Sequence, residues 1–230
     1  MTRFFAIVPA AGSGSRMGAE RPKQYLELAG KPMLWHALAA LLAVPRIVSV
    51  SVVLAPDDDW WACFDWSGLG PRLQVLRVGG ATRAQSVANA LAELAADAKE
   101  DDWMLVHDAA RACLQSQQVE ELIDCLADDP VGGLLAVPVA DTLKRGDADS
   151  RVAATISREA LWQAQTPQMF GYGLLRRALA ASPAVTDEAG AIEALGLSPR
   201  LVAADATNFK VTYPQDVALA EIILRARSSR

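Results

Sequence analysis

The chain is poor in the residues on which several kinds of protein depend. Its 230 residues include two histidines and three cysteines. Cys63, Cys113 and Cys125 are odd in number, and none stands in C-x-x-C spacing. That argues against a disulfide framework and points to a reducing cytoplasm. His36 is expected to pack on its own helix and His107 to orient a loop, so neither reads as a metal ligand. No nucleophile–base pair stands out. No apolar run approaches the ~20 residues that span a membrane. The apolar stretch 4–11 is too short for a secretory signal and is followed at once by glycines, so it reads as a strand. Fixed-period repeats and low-complexity segments are also missing. Positive charge is not in excess: the net charge is −5, which disfavours a broad nucleic-acid surface. Cations that bind an anion must therefore be gathered locally.

What is present suffices for a core, with 52% hydrophobic residues. Residues 1–230 are expected to form a single α/β domain. Strands are predicted at 4–9, 48–54, 73–78, 103–106, 132–139, 199–203 and 209–212. Helices are predicted at 32–42, 83–98, 119–126, 172–181, 187–195 and 214–226, with a further one opening at Asp57, Asp58 and Asp59 and broken at 68–71. Within 161–170 the TPQ triplet reads as a turn. The alternation predicts a doubly wound, mainly parallel, Rossmann-like sheet, whose ligands bind beyond the carboxyl ends of the strands. Residues 141–157 break the pattern. They are polar around Gly146 and read as a projecting β-arm that exchanges contacts with a second subunit.

The stretch 7–25, IVPAAGSGSRMGAERPKQY, leads from a strand into a Gly-rich loop holding Arg16, with Lys23 seven residues later. Backbone amides and two fixed cations suit a ligand with several phosphates. A Walker A loop is excluded because Ala19, not lysine, follows Gly18. A dinucleotide fingerprint is disfavoured, since the spacing is G-x-G-x-x-x-G and the next acidic residue after a strand comes too late. Gly79-Gly80 and the HDAAR segment at 107–111 also fall at predicted strand ends. The three are expected to meet in one crevice.

AAGSGSRMG-x3-PKQY, GG-x2-R-x2-SV, HDAAR, LW-x2-QTPQ-x-F, TDEA and N-x-KVT occur in this order over almost the whole chain. In this the chain resembles the 2-C-methyl-D-erythritol 4-phosphate cytidylyltransferases, nucleotidyltransferases of the methylerythritol phosphate route to isoprenoids. The resemblance implies transfer from CTP to a sugar-alcohol phosphate with release of pyrophosphate, and Mg²⁺ bound mainly through the CTP phosphates. It implies Arg16 and Lys23 as stabilisers of the reacting phosphate. It implies a nucleotide pocket of Ala10, Ala11, Gly12, Ser13, Gly14, Gly80, Ala81, Ser86, Asp108 and Ala109. Asp108 would touch the metal or the ribose. Arg83 would touch ligand or brace its helix, and Arg111 would brace the nucleotide loop. For the acceptor phosphate it nominates Arg158 and Lys210 as cations and Thr142, Thr166 and Thr186 as hydrogen-bonding partners. In the family the arm crosses to the other subunit of a homodimer, so Thr142 and Arg158 would serve the neighbour's site. Thr186 could equally cap a helix. Two positions depart from the family pattern: Ala112 stands where proline is usual, and Ala81 where an acid is frequent. Two other readings stay open, a ribitol 5-phosphate cytidylyltransferase and a CTP-binding regulatory protein without activity.

Overall fold

The computed structural model describes residues 2–12 and 21–228. Its centre is a seven-stranded sheet in the order β11-β7-β10-β6-β1-β4-β5. These strands are β1 (Phe4–Pro9), β4 (Ile47–Val53), β5 (Leu73–Leu76), β6 (Trp103–Val106), β7 (Gly132–Pro138), β10 (Trp162–Gly171) and β11 (Arg200–Ala203). All neighbours run parallel except β10, which is antiparallel to both β6 and β7.

Apolar residues alternate between the two faces of the sheet, as a strand buried on both sides requires. On one face Ala6, Val8, Val50, Val52 and Leu105 pack against α1 (Met33–Leu42) and α3 (Ser116–Leu126). On the other, Phe5, Ile7, Met104 and Val106 pack against α2 (Arg83–Glu93), α4 (Tyr172–Ala181) and α5 (Glu188–Glu193). This is the predicted doubly wound arrangement. A third apolar cluster joins Ala110, Ala112 and Cys113 to Val211 and to Ala220 on α6 (Pro214–Ser228), so α6 backs the HDAAR loop at the carboxyl edge of the sheet.

The predicted helix after Asp57 does not form. Single 3-10 turns at Trp61–Cys63 and Ser67–Leu69 replace it. Asp58 is buried and accepts from the Tyr25 hydroxyl at 2.8 Å and from the Trp61 N–H at 2.9 Å. Trp61 stacks on Trp66, and Phe64 on Tyr25. The aromatic side chains pack on one another and on Tyr25, not along one helical face.

The TPQ triplet is not a turn between elements but lies within β10. Its Pro167, in a cis peptide with Thr166, falls where the ladder to β7 is interrupted, between Ala164 and Gln168. A proline that donates no ladder bond is tolerated at such a break. The segment 209–212, predicted as a strand, pairs with no strand among the described residues; Val211 N–H donates to the Ala110 carbonyl at 2.9 Å. A small two-stranded sheet, β2 (Glu27–Leu28) with β3 (Lys31–Pro32), was not foreseen. The predicted arm is a separate two-stranded sheet, β8 (Leu143–Gly146) with β9 (Val152–Ile156), largely exposed and outside the central sheet.

Candidate active site

The segments after the carboxyl ends of β1 and β6, the loop before α2 with the start of that helix, Val185 and Thr186 before α5, and Lys210 surround a cleft of about 830 Å³. A smaller crevice of about 150 Å³ adjoins it. Arg83, Asp108, Thr186 and Lys210 line both.

The floor of the large cleft is made by small residues that let backbones come close. Ala10, Ala11, Gly12, Gly80, Ala81 and Ala109 all line it. A Cβ on Gly79 would lie 2.7 Å from the Leu54 carbonyl oxygen, so only glycine fits there. Ser86 is buried, accepts from the Gly80 N–H at 3.0 Å and donates to the Thr82 carbonyl at 2.9 Å. It thereby fixes the Gly79–Gly80 turn. Thr82 caps α2 by accepting from the Gln85 N–H. Gln24, which the sequence did not single out, donates to the Ala10 carbonyl at 2.7 Å and ties the turn Lys23–Tyr25 to the residue that follows β1.

Among the described residues Asp108 is the one carboxylate that lines the large cleft. Its Oδ1 accepts from Arg83 Nε at 2.9 Å and its Oδ2 from Lys210 Nζ at 2.8 Å, with Arg111 Nε 3.9 Å away. Burial would raise the Asp108 carboxyl; Arg83, then Lys210 and Arg111, more than reverse this and hold it far below the ordinary carboxylate range.

The HDAAR loop is locked from behind by a hydrogen-bond chain whose directions can be assigned. His107 Nε2 lies 3.2 Å from the Arg111 carbonyl, which can only accept, so Nε2 carries the proton. Nδ1, 3.0 Å from Thr166 Oγ1, then accepts from the threonine hydroxyl. Thr166 Oγ1 in turn accepts from the Asp108 N–H at 3.0 Å. Burial pushes the His107 imidazole down to about 4, which keeps it neutral and this chain intact. His107 therefore orients the loop, as expected. Ala112, where proline is usual, is buried, and just before it the Arg111 N–H donates to the Asp108 carbonyl at 3.0 Å.

Arg111 braces the loop as expected, donating to the Asn208 carbonyl at 2.7 Å and the Ala164 carbonyl at 3.2 Å. Asn208 donates to Gln165 Oε1 and to the Thr166 carbonyl, both at 2.9 Å. Gln168 donates to Asp187 Oδ2 at 3.0 Å and accepts from the Ala189 N–H at 2.7 Å. QTPQ, TDEA and N-x-KVT are thus one hydrogen-bonded assembly around the crevice. Asp187, not Thr186, caps α5, accepting from the Gly190 N–H at 3.1 Å. Thr186 remains exposed on the crevice wall.

The most important residue that the sequence reading missed is Glu188. It is fully buried and takes the Arg83 fork on both oxygens, at 2.6 and 3.0 Å. The signal was faint: a glutamate just after a helix cap, at the head of an otherwise apolar AGAI face. Ser13, Gly14 and Arg16 lie outside the described residues. Lys23 lines the cleft. Thr142 and Arg158 lie on exposed segments flanking the arm and line neither cavity of their own chain. Among the described residues no group of three or more His, Cys, Asp or Glu could hold a metal, and no helix is long and apolar enough to cross a membrane.

Comparison with known proteins gives a consistent result. The sequence profile of 2-C-methyl-D-erythritol 4-phosphate cytidylyltransferase matches residues 4–226. A protein of that name from Dechloromonas aromatica is 65% identical over 227 residues, covering 99% of this chain and 100% of its own. The crystal structure of a 4-diphosphocytidyl-2C-methyl-D-erythritol synthase superposes with a TM-score of 0.86 at 42% identity, over 97% of this chain and 100% of that one. The Francisella tularensis 2-C-methyl-D-erythritol 4-phosphate cytidylyltransferase gives 0.82 at 32%, over 96% and 100%.

Proposed function

The chain belongs to the 2-C-methyl-D-erythritol 4-phosphate cytidylyltransferase family, and we propose that its two adjoining cavities are the two substrate subsites of that reaction. The enzyme joins CTP and 2-C-methyl-D-erythritol 4-phosphate to give 4-diphosphocytidyl-2-C-methyl-D-erythritol and pyrophosphate. The observation that carries the assignment of subsites is the shared wall. A large cleft floored by backbone and small residues and a small polar crevice meet at Arg83, Asp108, Thr186 and Lys210. CTP occupies the first, the acceptor's polyol the second, and the two phosphates meet between them.

An acceptor phosphate oxygen attacks the α-phosphorus in line. The new P–O bond forms as the bond to the β-phosphate bridging oxygen breaks, and pyrophosphate leaves with that electron pair. A phosphate monoester with a second pKa of about 6 is already largely dianionic at neutral pH, so no general base is required. The neutral, fully engaged His107 agrees with that. Catalysis rests on positioning and on cations held where negative charge gathers. Lys23 and Arg16 take the triphosphate side; Lys210, with Arg158 of a second copy, takes the acceptor phosphate. Thr142 of that copy and Thr186 hold the acceptor, and Thr166 supports it through Asp108.

The residues present fit Mg²⁺ bound chiefly by the substrate. A single cleft carboxylate among the described residues, Asp108, is too few for a protein cage but suits an ion that keeps phosphate and water ligands. Such an ion would neutralise the triphosphate. We treat residues 1–230 as one nucleotidyltransferase domain with 141–157 as a dimerisation arm. Val152, Leu161 and Trp162 support this, since all three are exposed near or on the arm of a single chain. Three unpaired cysteines support a reducing cytoplasm.

A two-acceptor assay tests the choice of substrate. Turnover with 2-C-methyl-D-erythritol 4-phosphate is expected to exceed that with ribitol 5-phosphate. Equal or better use of ribitol 5-phosphate overturns it.

A further inference from the structure

Four charged side chains from four separate segments form a line of alternating sign: Glu188, Arg83, Asp108 and Lys210. Glu188, at the start of α5, is the deepest and fully buried. Arg83 opens α2, Asp108 follows β6, and Lys210 follows β11. Lys210 is the most exposed, with 47% of its side chain accessible.

The geometry of the arginine decides how this line is connected. A guanidinium can present its two-pronged fork or its single Nε edge to a carboxylate, and the fork is the stronger mode. Here Glu188 takes the fork, Nη1 to Oε1 at 2.6 Å and Nη2 to Oε2 at 3.0 Å. Nε is the donor that meets Asp108, and it engages Oδ1 alone at 2.9 Å. Asp108 Oδ2 is thereby kept for Lys210, at 2.8 Å. The Glu188 carboxylate reaches neither cavity: it lines neither the cleft nor the crevice.

We infer that Glu188 is a positioning residue for the acceptor site, which sets the arginine's mode of contact with Asp108 and so holds Lys210 in place. Without the Glu188 carboxylate the Arg83 fork is free to turn onto Asp108 and take both oxygens. Lys210 then loses its partner, and the ammonium that receives the acceptor phosphate loses its fixed place. The nucleotide side of the cleft, built on the Gly79–Gly80 turn and Ser86, keeps its own hydrogen bonds. This inference rests on the assignment of Lys210 to the acceptor phosphate.

The experiment measures the KM for each substrate in Lys210→Ala, Glu188→Gln and the double variant Arg83→Gln/Glu188→Gln, with folding checked by circular dichroism. Glu188→Gln is expected to raise the acceptor KM about tenfold and to leave the CTP KM within about threefold. Adding Arg83→Gln removes the fork that would turn, and the acceptor KM of the double variant is expected to lie several-fold below that of Glu188→Gln alone, whatever happens to CTP. An unchanged acceptor KM in Glu188→Gln, or a double variant as impaired as the single one, overturns the inference. If Glu188→Gln alone does not fold, the double variant, with neither charge buried alone, decides: an acceptor KM raised about tenfold is the contrary result. An unchanged acceptor KM in Lys210→Ala overturns the reading of the acceptor site and the inference with it. A raised KM there, with none in Glu188→Gln, overturns the inference alone.

Discussion

The Lys23 ammonium donates to the Val211 carbonyl at 2.5 Å, across 188 positions of sequence. Val211 follows Lys210, whose ammonium rests on Asp108. The cation assigned to the triphosphate is thus anchored on the segment that carries the cation assigned to the acceptor. The two halves of the site are tied together before either substrate arrives.

Lys23→Ala should therefore cost rate more than nucleotide affinity. Removal of a preorganised charge of this kind lowers turnover by about 10²–10³. CTP affinity, spread over many backbone contacts of the cleft, is expected to stay within about tenfold. Steady-state kinetics with calorimetric CTP titration separates the two. Near-normal turnover would remove Lys23 from the mechanism.

The parts of this site that were legible in the sequence are those written in local pattern. The apolar run of β1, the β-branched run of β4 and the amphipathic face of α2 each announce their element, and so the ends of β1, β4 and β6 could be placed. Lys210 and Asp108 are visible as residues, but their pairing spans 102 positions and depends on the sheet order. Glu188 stayed hidden for the same reason, since its partner lies 105 positions away. β10 was misread because Pro167 speaks locally for a turn; only the broken ladder to β7 shows how the strand carries it. The helix expected after Asp57 was lost to tertiary contacts, with Asp58 turned inward to Tyr25 and Trp61.

Acid should loosen the fold as the pH falls through the ordinary histidine range. Burial pushes His107 from 6.5 down to about 4. Between these values the unfolded chain binds a proton that the folded chain does not, so stability falls as the pH is lowered through that window. The loss reaches as much as about 3 kcal/mol. His36, also shifted down by burial, acts in the same direction. Asp108 is depressed, so its contribution is present above its unfolded value of 3.8 and is lost only at lower pH. Urea midpoints at pH 7.5 and 5.0 are expected to fall further apart in the parent than in His107→Gln. Equal spacing in both would contradict the buried neutral imidazole.

The arm carries the proposed contact between copies. Deleting 144–151 removes all of β8 but Leu143, together with the turn to β9, and so abolishes the two-stranded arm while leaving the strands of the central sheet in place. Sedimentation is expected to show weakened association, with acceptor turnover falling as the dimer is lost. Arg158→Ala, in the segment after β9, should raise the acceptor KM with CTP use less affected. A deletion variant that remains fully dimeric would place the main interface elsewhere.

The central claim is that one cleft brings CTP and an acceptor phosphate together and couples them with loss of pyrophosphate. Its most direct test is pyrophosphate release by the full chain with Mg²⁺ and CTP, with and without 2-C-methyl-D-erythritol 4-phosphate. Release that requires both substrates, one pyrophosphate for each 4-diphosphocytidyl product, is the expected result. CTP binding with no release when the acceptor is added, or release that ignores the acceptor, would contradict the account.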